Sequence, residues 1–164
     1  MSLKIQTGSD NPILRAMSKP VPAITKKTLK FIKDMEEAME LEKGVGIAAP
    51  QVGENVRIFL ALLDGKRLVT MVNPEFLSHN ETLASAEEGC LSLPGVWGEV
   101  ARPTEVTIRY LDLKGRENTL KLKGFNARVV QHEMDHLDGI LFIDHLKPVA
   151  NFLKIPEARE TERL

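Results

Sequence analysis

Hydrophobic and polar positions change period several times along the 164 residues, and the changes mark out the elements. Residues 1–24 have no period. Asn11-Pro12 opens a short helix through Arg15, and Pro20 and Pro22 force an extended stretch. From Thr25 to Glu42, Leu29, Ile32, Met35, Ala38 and Met39 recur at helical spacing. This predicts an amphipathic helix with Thr25 as N-cap, a core-facing stripe and Gly44 as its stop. Apolar runs over Val56–Leu62 and Arg67–Asn73 flank the turn Leu63-Asp64-Gly65-Lys66 and predict two strands, the second ended by Pro74. Residues 75–86 leave room for one more strand, and His79 falls in a polar, loop-like cluster. Glu105–Asp112 and Glu117–Leu122 alternate around a Lys-Gly turn and predict a β-hairpin. A further helix starts at Asn126, its N-cap, and stops at Gly139. The tail, 148–164, reads as a terminal helix broken near Pro156.

This length suits one domain, residues 1–164, with a core large enough to fold without disulfides. Hydrophobic residues at 43% and charged residues at 27% exclude a disordered chain. A net charge of −1 gives no global attraction to nucleic acid or to an anionic membrane. The single cysteine, Cys90, cannot form an internal disulfide, and MSLKIQTGSDNPILR has no apolar signal-peptide region. The central apolar run Ile58–Leu63 is far too short to span a bilayer. Together these features point to a cytoplasmic or otherwise reducing compartment.

The densest chemistry lies in VVQHEMDHLDG, residues 129–139. On a helix, His132 and His136 stack one turn apart on one face, with Glu133 beside them. That is the His-Glu-x-x-His arrangement of a divalent-metal site whose carboxylate serves the metal-bound water. Two histidines on a packed or solvated helix would give the same string, so a third ligand is needed. Hydrolytic sites take three protein ligands and leave one position open. A metzincin-like third histidine fails, because Phe142 stands where it would fall; Glu157, Glu160 and Glu162 lie far off in the tail. Cys90, in EEGCLSLPG, reads as a small buried hydrophobe, a nucleophile or the missing ligand. The ligand reading is preferred, because one thiolate with two imidazoles suits Zn²⁺ or Fe²⁺ and a nucleophile leaves the histidine motif unexplained. The stretch GVGIAAPQVG, Gly44–Gly53, reads either as a tight buried connection or as backbone that approaches something closely.

Three stretches, GVGIAAPQ, EGCLS and QHEMDH, together with DHLDGILF, resemble the signature blocks of the peptide deformylase family, in the family's order. The resemblance runs from the N-terminal helix to His145. It implies an α+β fold of mixed, mainly antiparallel strands around a central metal-binding helix. It also implies removal of the N-formyl group from the formylmethionine of newly made polypeptides, releasing formate. Cys90, His132 and His136 would hold the metal, with Glu133 as general base and then general acid. The Gln51 amide and the Leu91 backbone N–H would stabilise the oxyanion. Phe125, Arg128 and Val129 share the face of His132 and, with Val45, border a pocket for the methionine side chain. The Arg128 head then reaches water or the peptide. Gly46 and Gly89 would let main chain pair with an extended substrate. Glu88 and Arg102 lie near the site in the family and pair behind it or stay solvated, and Trp97 and Gly98 rim the cleft or enter the core. The donor set admits Zn²⁺, Fe²⁺, Co²⁺ or Ni²⁺. The resemblance points to Fe²⁺ in the cell and often to Zn²⁺, Ni²⁺ or Co²⁺ after purification. Partners would be N-formylmethionyl nascent peptides and, transiently, the ribosome, with no membrane and no sequence-specific nucleic acid. The tail alternates Lys154, Arg159 and Arg163 with three glutamates, a weak basic patch for ribosome docking. Two rivals stand beside this reading. A general metallopeptidase needs a downstream ligand the chain lacks, and a closed structural metal site needs a fourth ligand.

Overall fold

A computed structural model of the chain describes residues 2–146, 153, 154 and 164. Its elements, in order, are α1 (Pro12–Arg15), α2 (Lys26–Leu41), β1 (Gly46–Ala48), a 3₁₀ turn (Ala49–Val52), β2 (Ile58–Leu63) and β3 (Arg67–His79). There follow β4 (Leu83–Cys90), β5 (Leu93–Pro103), β6 (Glu105–Leu111), β7 (Glu117–Lys123), α3 (Gly124–Leu137), a 3₁₀ turn (Phe142–His145) and β8 (Leu153–Lys154). Five strands pair in the order β1-β2-β3-β6-β7 and three in the order β4-β5-β8, all antiparallel. This is the mainly antiparallel α+β architecture expected from the sequence.

The apolar run of β2 has a simple cause. Phe59, Ala61 and Leu63 pack into one buried cluster, while Ile58 and Leu60 pack into another on the opposite face. A strand covered on both faces has no polar positions to alternate with. One cover is α3, whose Ala127, Val129, Val130, Met134 and Leu137 join the Phe59 cluster, as does Leu164. The other is α2, through Ile32, Met35, Ala38 and Met39. The histidine-bearing helix is therefore enclosed, with strands on one side and the β4–β5 hairpin on another.

Several expectations need correction. Thr25 caps α2, its hydroxyl accepting from the Thr28 N–H at 3.2 Å. Leu29, however, lies on the exposed side of α2. The helix ends one residue earlier than Gly44 suggests. Lys43 takes the left-handed φ of 54°, and the Gly44 and Lys43 N–H groups bond to Met39 and Glu40 carbonyls at 3.0 and 3.1 Å. Pro74 does not end β3. The strand leaves β2 after Val72, bulges at Asn73 (φ 48°), and continues against β6 with Pro74 inside the irregularity, where its missing N–H costs no ladder bond. His79 is exposed as expected, but it is the last residue of β3, opposite Val106. Asn126 is not the cap of α3, which begins at Gly124 after Lys123. Its side chain instead binds the turn between β2 and β3, accepting from the Asp64 N–H at 2.9 Å and donating to the Asp64 carboxylate at 2.8 Å. Of the tail helix, residues 153 and 154 are a strand paired with Trp97 and Val96 of β5. The remainder, apart from Leu164, lies outside the described residues.

Candidate metal centre

Two elements bring the three donors together. β4 and β5 form a tight hairpin with Leu91-Ser92 as its turn, so Cys90 is the last residue of β4 and sits at the buried hairpin tip. α3 supplies His132 and His136 from one face, their rings 5.1 Å apart. The helix ends one residue later, at Leu137. Gly139 takes φ 72° and its N–H bonds to His136 O at 3.2 Å, while Ile140 N–H bonds to Asp135 O at 2.9 Å. Arg57 holds this end, donating to Leu137 O at 3.1 Å and to the Asp138 carboxylate at 2.9 Å.

Sγ of Cys90 and one ring nitrogen from each histidine all lie within 4.8 Å of one another. Cys90 Sγ is 3.3 Å from His136 Nε2. All three residues are buried. His132 Nε2, both Glu133 carboxylate oxygens and His136 Nδ1 are buried with no hydrogen-bond partner among the described residues. Buried polar atoms are rarely left this way. The donor chemistry, spacing and orphaned atoms together fit one divalent cation. Without it the groups are pushed toward neutrality. Burial, with the Glu133 and Glu88 charges, raises the Cys90 thiol to about 12. Burial and the Glu88 charge hold Glu133 well above the usual carboxylate range, and burial with the His132 charge holds His136 well below the usual histidine range.

A second layer fixes His132. The Glu88 carboxylate is fully enclosed and accepts four hydrogen bonds. Arg102 donates Nε and Nη2 at 2.7 and 2.9 Å, Arg128 donates at 2.6 Å, and His132 Nδ1 lies at 2.9 Å. Burial raises the Glu88 pKa, but the bonds from His132 and Arg102 outweigh it and hold the group well below the carboxylate range. An ionised Glu88 places the proton on His132 Nδ1 and leaves Nε2 as the free donor atom. Glu88 and Arg102 thus pair directly. Arg102 also reaches Asp135 at 2.9 Å, and Asp135 reaches His145 Nε2 at 2.8 Å.

Gln51 ends the glycine-rich stretch as a buried amide whose two ends are already committed. Its Oε1 accepts from the Ala48 N–H at 2.9 Å, and its Nε2 points to Ser92 Oγ at 3.2 Å and Cys90 Sγ at 3.5 Å. The donor end therefore faces the hairpin tip. Leu91 directly follows Cys90 in the turn and is buried.

The glycines have packing causes. A Cβ on Gly46 would collide with the Glu133 side chain, 2.8 Å from Cδ, and a Cβ on Gly89 would stand 2.6 Å from the Trp97 ring. A Cβ on Gly98 would stand 2.6 Å from Leu146. Trp97 is accordingly a buried residue of β5, not part of a rim loop. Val45 is buried beside β1, Val129 is fully buried in the main core, and Phe125 is half-exposed on the first turn of α3. Val45 and Phe125 border one cavity of about 360 Å³. Arg128 turns its head inward to Glu88, Val100 O (2.9 Å) and Ala84 O (2.7 Å) while also lining, with Phe125 and Arg102, a cavity of about 280 Å³. Sequence reasoning missed Asp135, Ser92 and Arg57, whose partners lie 33, 41 and 81 residues away and leave no local pattern.

Polypeptide deformylase is the family that matches, over residues 3–152. A peptide deformylase from Halothermothrix orenii is 48% identical over 135 residues, covering 82% of this chain and 87% of the relative. One from Caulobacter vibrioides is 39% identical over 165 residues, covering 98% and 95%. The solved peptide deformylase of Thermotoga maritima superposes with a TM-score of 0.86 at 39% identity, over 90% of this chain and 99% of that one. That of Synechococcus elongatus, in complex with actinonin, gives 0.86 at 36% identity, over 90% and 80%. With a match this long and a fold this close, the chain belongs to the polypeptide deformylase family.

Proposed function

We propose that Cys90, His132 and His136 hold one divalent ion, and that Glu133, Gln51 and the Leu91 N–H carry the hydrolysis that defines the family. That reaction removes the N-formyl group from the N-terminal formylmethionine of newly made polypeptides and releases formate. The observation that carries the reading is the convergence of one thiol and two imidazoles within 4.8 Å beside a buried, unpartnered carboxylate. A bound ion of this class supplies Lewis acidity and lowers the pKa of a coordinated water toward neutrality. Glu133, one residue along α3 from His132, takes the proton from the attacking water and delivers it to the leaving amine nitrogen. The Gln51 amide, held by Ala48, and the Leu91 N–H donate to the oxygen that becomes negatively charged.

Val45, Phe125 and Val129 form the apolar surroundings for the methionine side chain, Val45 and Phe125 from the edge of one cavity and Val129 from the core behind them. The Gly46 and Gly89 main chains pair with the extended peptide. The ion in the cell is Fe²⁺, with Zn²⁺, Ni²⁺ or Co²⁺ taking its place during purification. Fully active protein, purified without oxygen and holding zinc alone, would overturn that assignment. The compartment is the cytoplasm, where nascent chains emerge, and contact with the ribosome is transient. Co-sedimentation with and without residues 150–164 tests that contact. The whole reading is tested by formate release from a formyl-Met dipeptide, with metal measured on the same sample. Wild type should turn over, while Glu133→Ala should keep its metal and lose activity; an unchanged rate in Glu133→Ala removes Glu133 from the chemistry.

A further inference from the structure

The donors of the metal centre come from two separately folded pieces. Cys90 rides on the β4–β5 hairpin, and both histidines ride on α3. Their spacing therefore depends on what fastens hairpin to helix. Besides His136, whose Nε2 meets Cys90 Sγ itself, four residues of α3 bond to the hairpin among the described residues: Arg128, Gln131, His132 and Asp135. Arg128 alone among these reaches both strands by main chain, donating to Ala84 O of β4 and Val100 O of β5. It also donates to Glu88 Oε2, while His132, one helical turn along, meets Oε1 of the same carboxylate.

We propose that Arg128 is a positioning residue of the metal centre, fastening the Cys90 hairpin to the histidine helix through Glu88 and so setting how the three donors converge. This rests on the metal-centre reading above. The planar fork of a guanidinium suits the task, because one head can hold three acceptors in fixed directions. A carboxylate offers about four acceptor positions, and here all four are filled. Without Arg128, Glu88 keeps the paired bonds from Arg102 but loses its shortest donor, and the carboxylate that orients His132 Nδ1 is held less firmly. β4 also loses its bond at Ala84, six residues before Cys90. The expected consequence is weaker metal binding, since changes to residues that orient ligands typically cost 10–100-fold in metal affinity.

The test uses full-length protein and Co²⁺ alone as the probe. Affinity is measured by competition with a chelator, and geometry by the thiolate-to-cobalt absorption band. If wild type binds Co²⁺ without that band, the metal-centre reading itself fails. Given a wild-type band, Arg128→Met should bind at least tenfold more weakly and shift or broaden it. Gln131→Ala, which removes the bond to Pro103 O at 3.0 Å but touches neither Glu88 nor a ligand, should keep wild-type affinity. If Arg128→Met does not fold, Arg128→Lys decides. It keeps the charge but not the fork, so affinity should fall between wild type and a tenfold loss. Wild-type affinity and an unaltered band in the folded variant, Met or Lys, overturn the proposal.

Discussion

A Cβ built on Gly46 would stand 2.8 Å from Cδ and 2.9 Å from Cγ of Glu133. The edge strand β1 and the centre of α3 thus share a volume that only a glycine leaves open. Gly46→Ala should displace the Glu133 carboxylate while leaving Cys90, His132 and His136 in place. The expected result is full metal content and a kcat lower by about 10²-fold, the lower end of what a positioned acid–base group contributes. Formate release per mole of bound metal measures it, and an unchanged kcat would mean that Glu133 has other room to stand.

Gln51 offers a second handle. Its amide is oriented by the Ala48 N–H, so its donor end cannot rotate away from the hairpin tip without giving up that bond. Gln51→Leu should lower kcat by about 10²–10³-fold, or about 2.7–4 kcal/mol of barrier, as for other oxyanion donors. Ser92→Ala, which removes only a neighbour of that amide at 3.2 Å, should have a smaller effect. Steady-state kinetics on both variants separate the roles. A rise in KM with kcat intact would assign Gln51 to ground-state binding instead.

These residues were readable in advance for different reasons. His132, Glu133 and His136 lie within five positions on one helix, where spacing alone encodes a shared face. Cys90 was readable because the chain has only one cysteine. α2, β2 and the β6–β7 hairpin followed from their periods. The β4 strand did not: LASAEEGC lies at the edge of its sheet, with its first four residues exposed, and carries no apolar alternation. The direction of the Arg128 head was equally hidden. Helical spacing correctly placed it on the His132 face, but whether it meets solvent or a carboxylate depends on β4 and β5, 28 to 44 residues away. Asn126 shows the same limit, because a residue suited to capping α3 is used by the Asp64 turn instead.

Metal removal should be visible in stability as well as in activity. Ligands drawn from hairpin and helix exist as a set only in the folded chain, so a bound ion favours that state. At a free-ion concentration 100-fold above Kd the stabilisation is about 2.7 kcal/mol. For a chain of this size that corresponds to roughly 5–10 °C in Tm. Chelator-treated protein should melt lower by about that much and recover when the ion is restored. Equal melting temperatures with and without chelator would show that the donors do not bind an ion in common.

The acid limb of stability should carry a contribution from Asp144. Burial raises its pKa, but the Arg15 guanidinium at 2.6 Å and the Leu141 N–H at 3.0 Å outweigh it and hold the carboxyl below the usual carboxylate range. A carboxyl depressed in the folded state binds protons more readily when unfolded. Its stabilisation is therefore complete above the unfolded pKa and is lost as pH falls through the folded one. The pair is partly exposed, so the worth of the contact is about 0.2–1 kcal/mol at most. Asp144→Asn should lower Tm at pH 7 by a degree or a few, and the gap to wild type should close as pH falls from 7 through and below the usual carboxylate range. Thermal melts across that range measure it. A gap that persists unchanged in acid would assign the loss to something other than the charge, because the amide oxygen of the variant keeps accepting the Leu141 N–H at any pH.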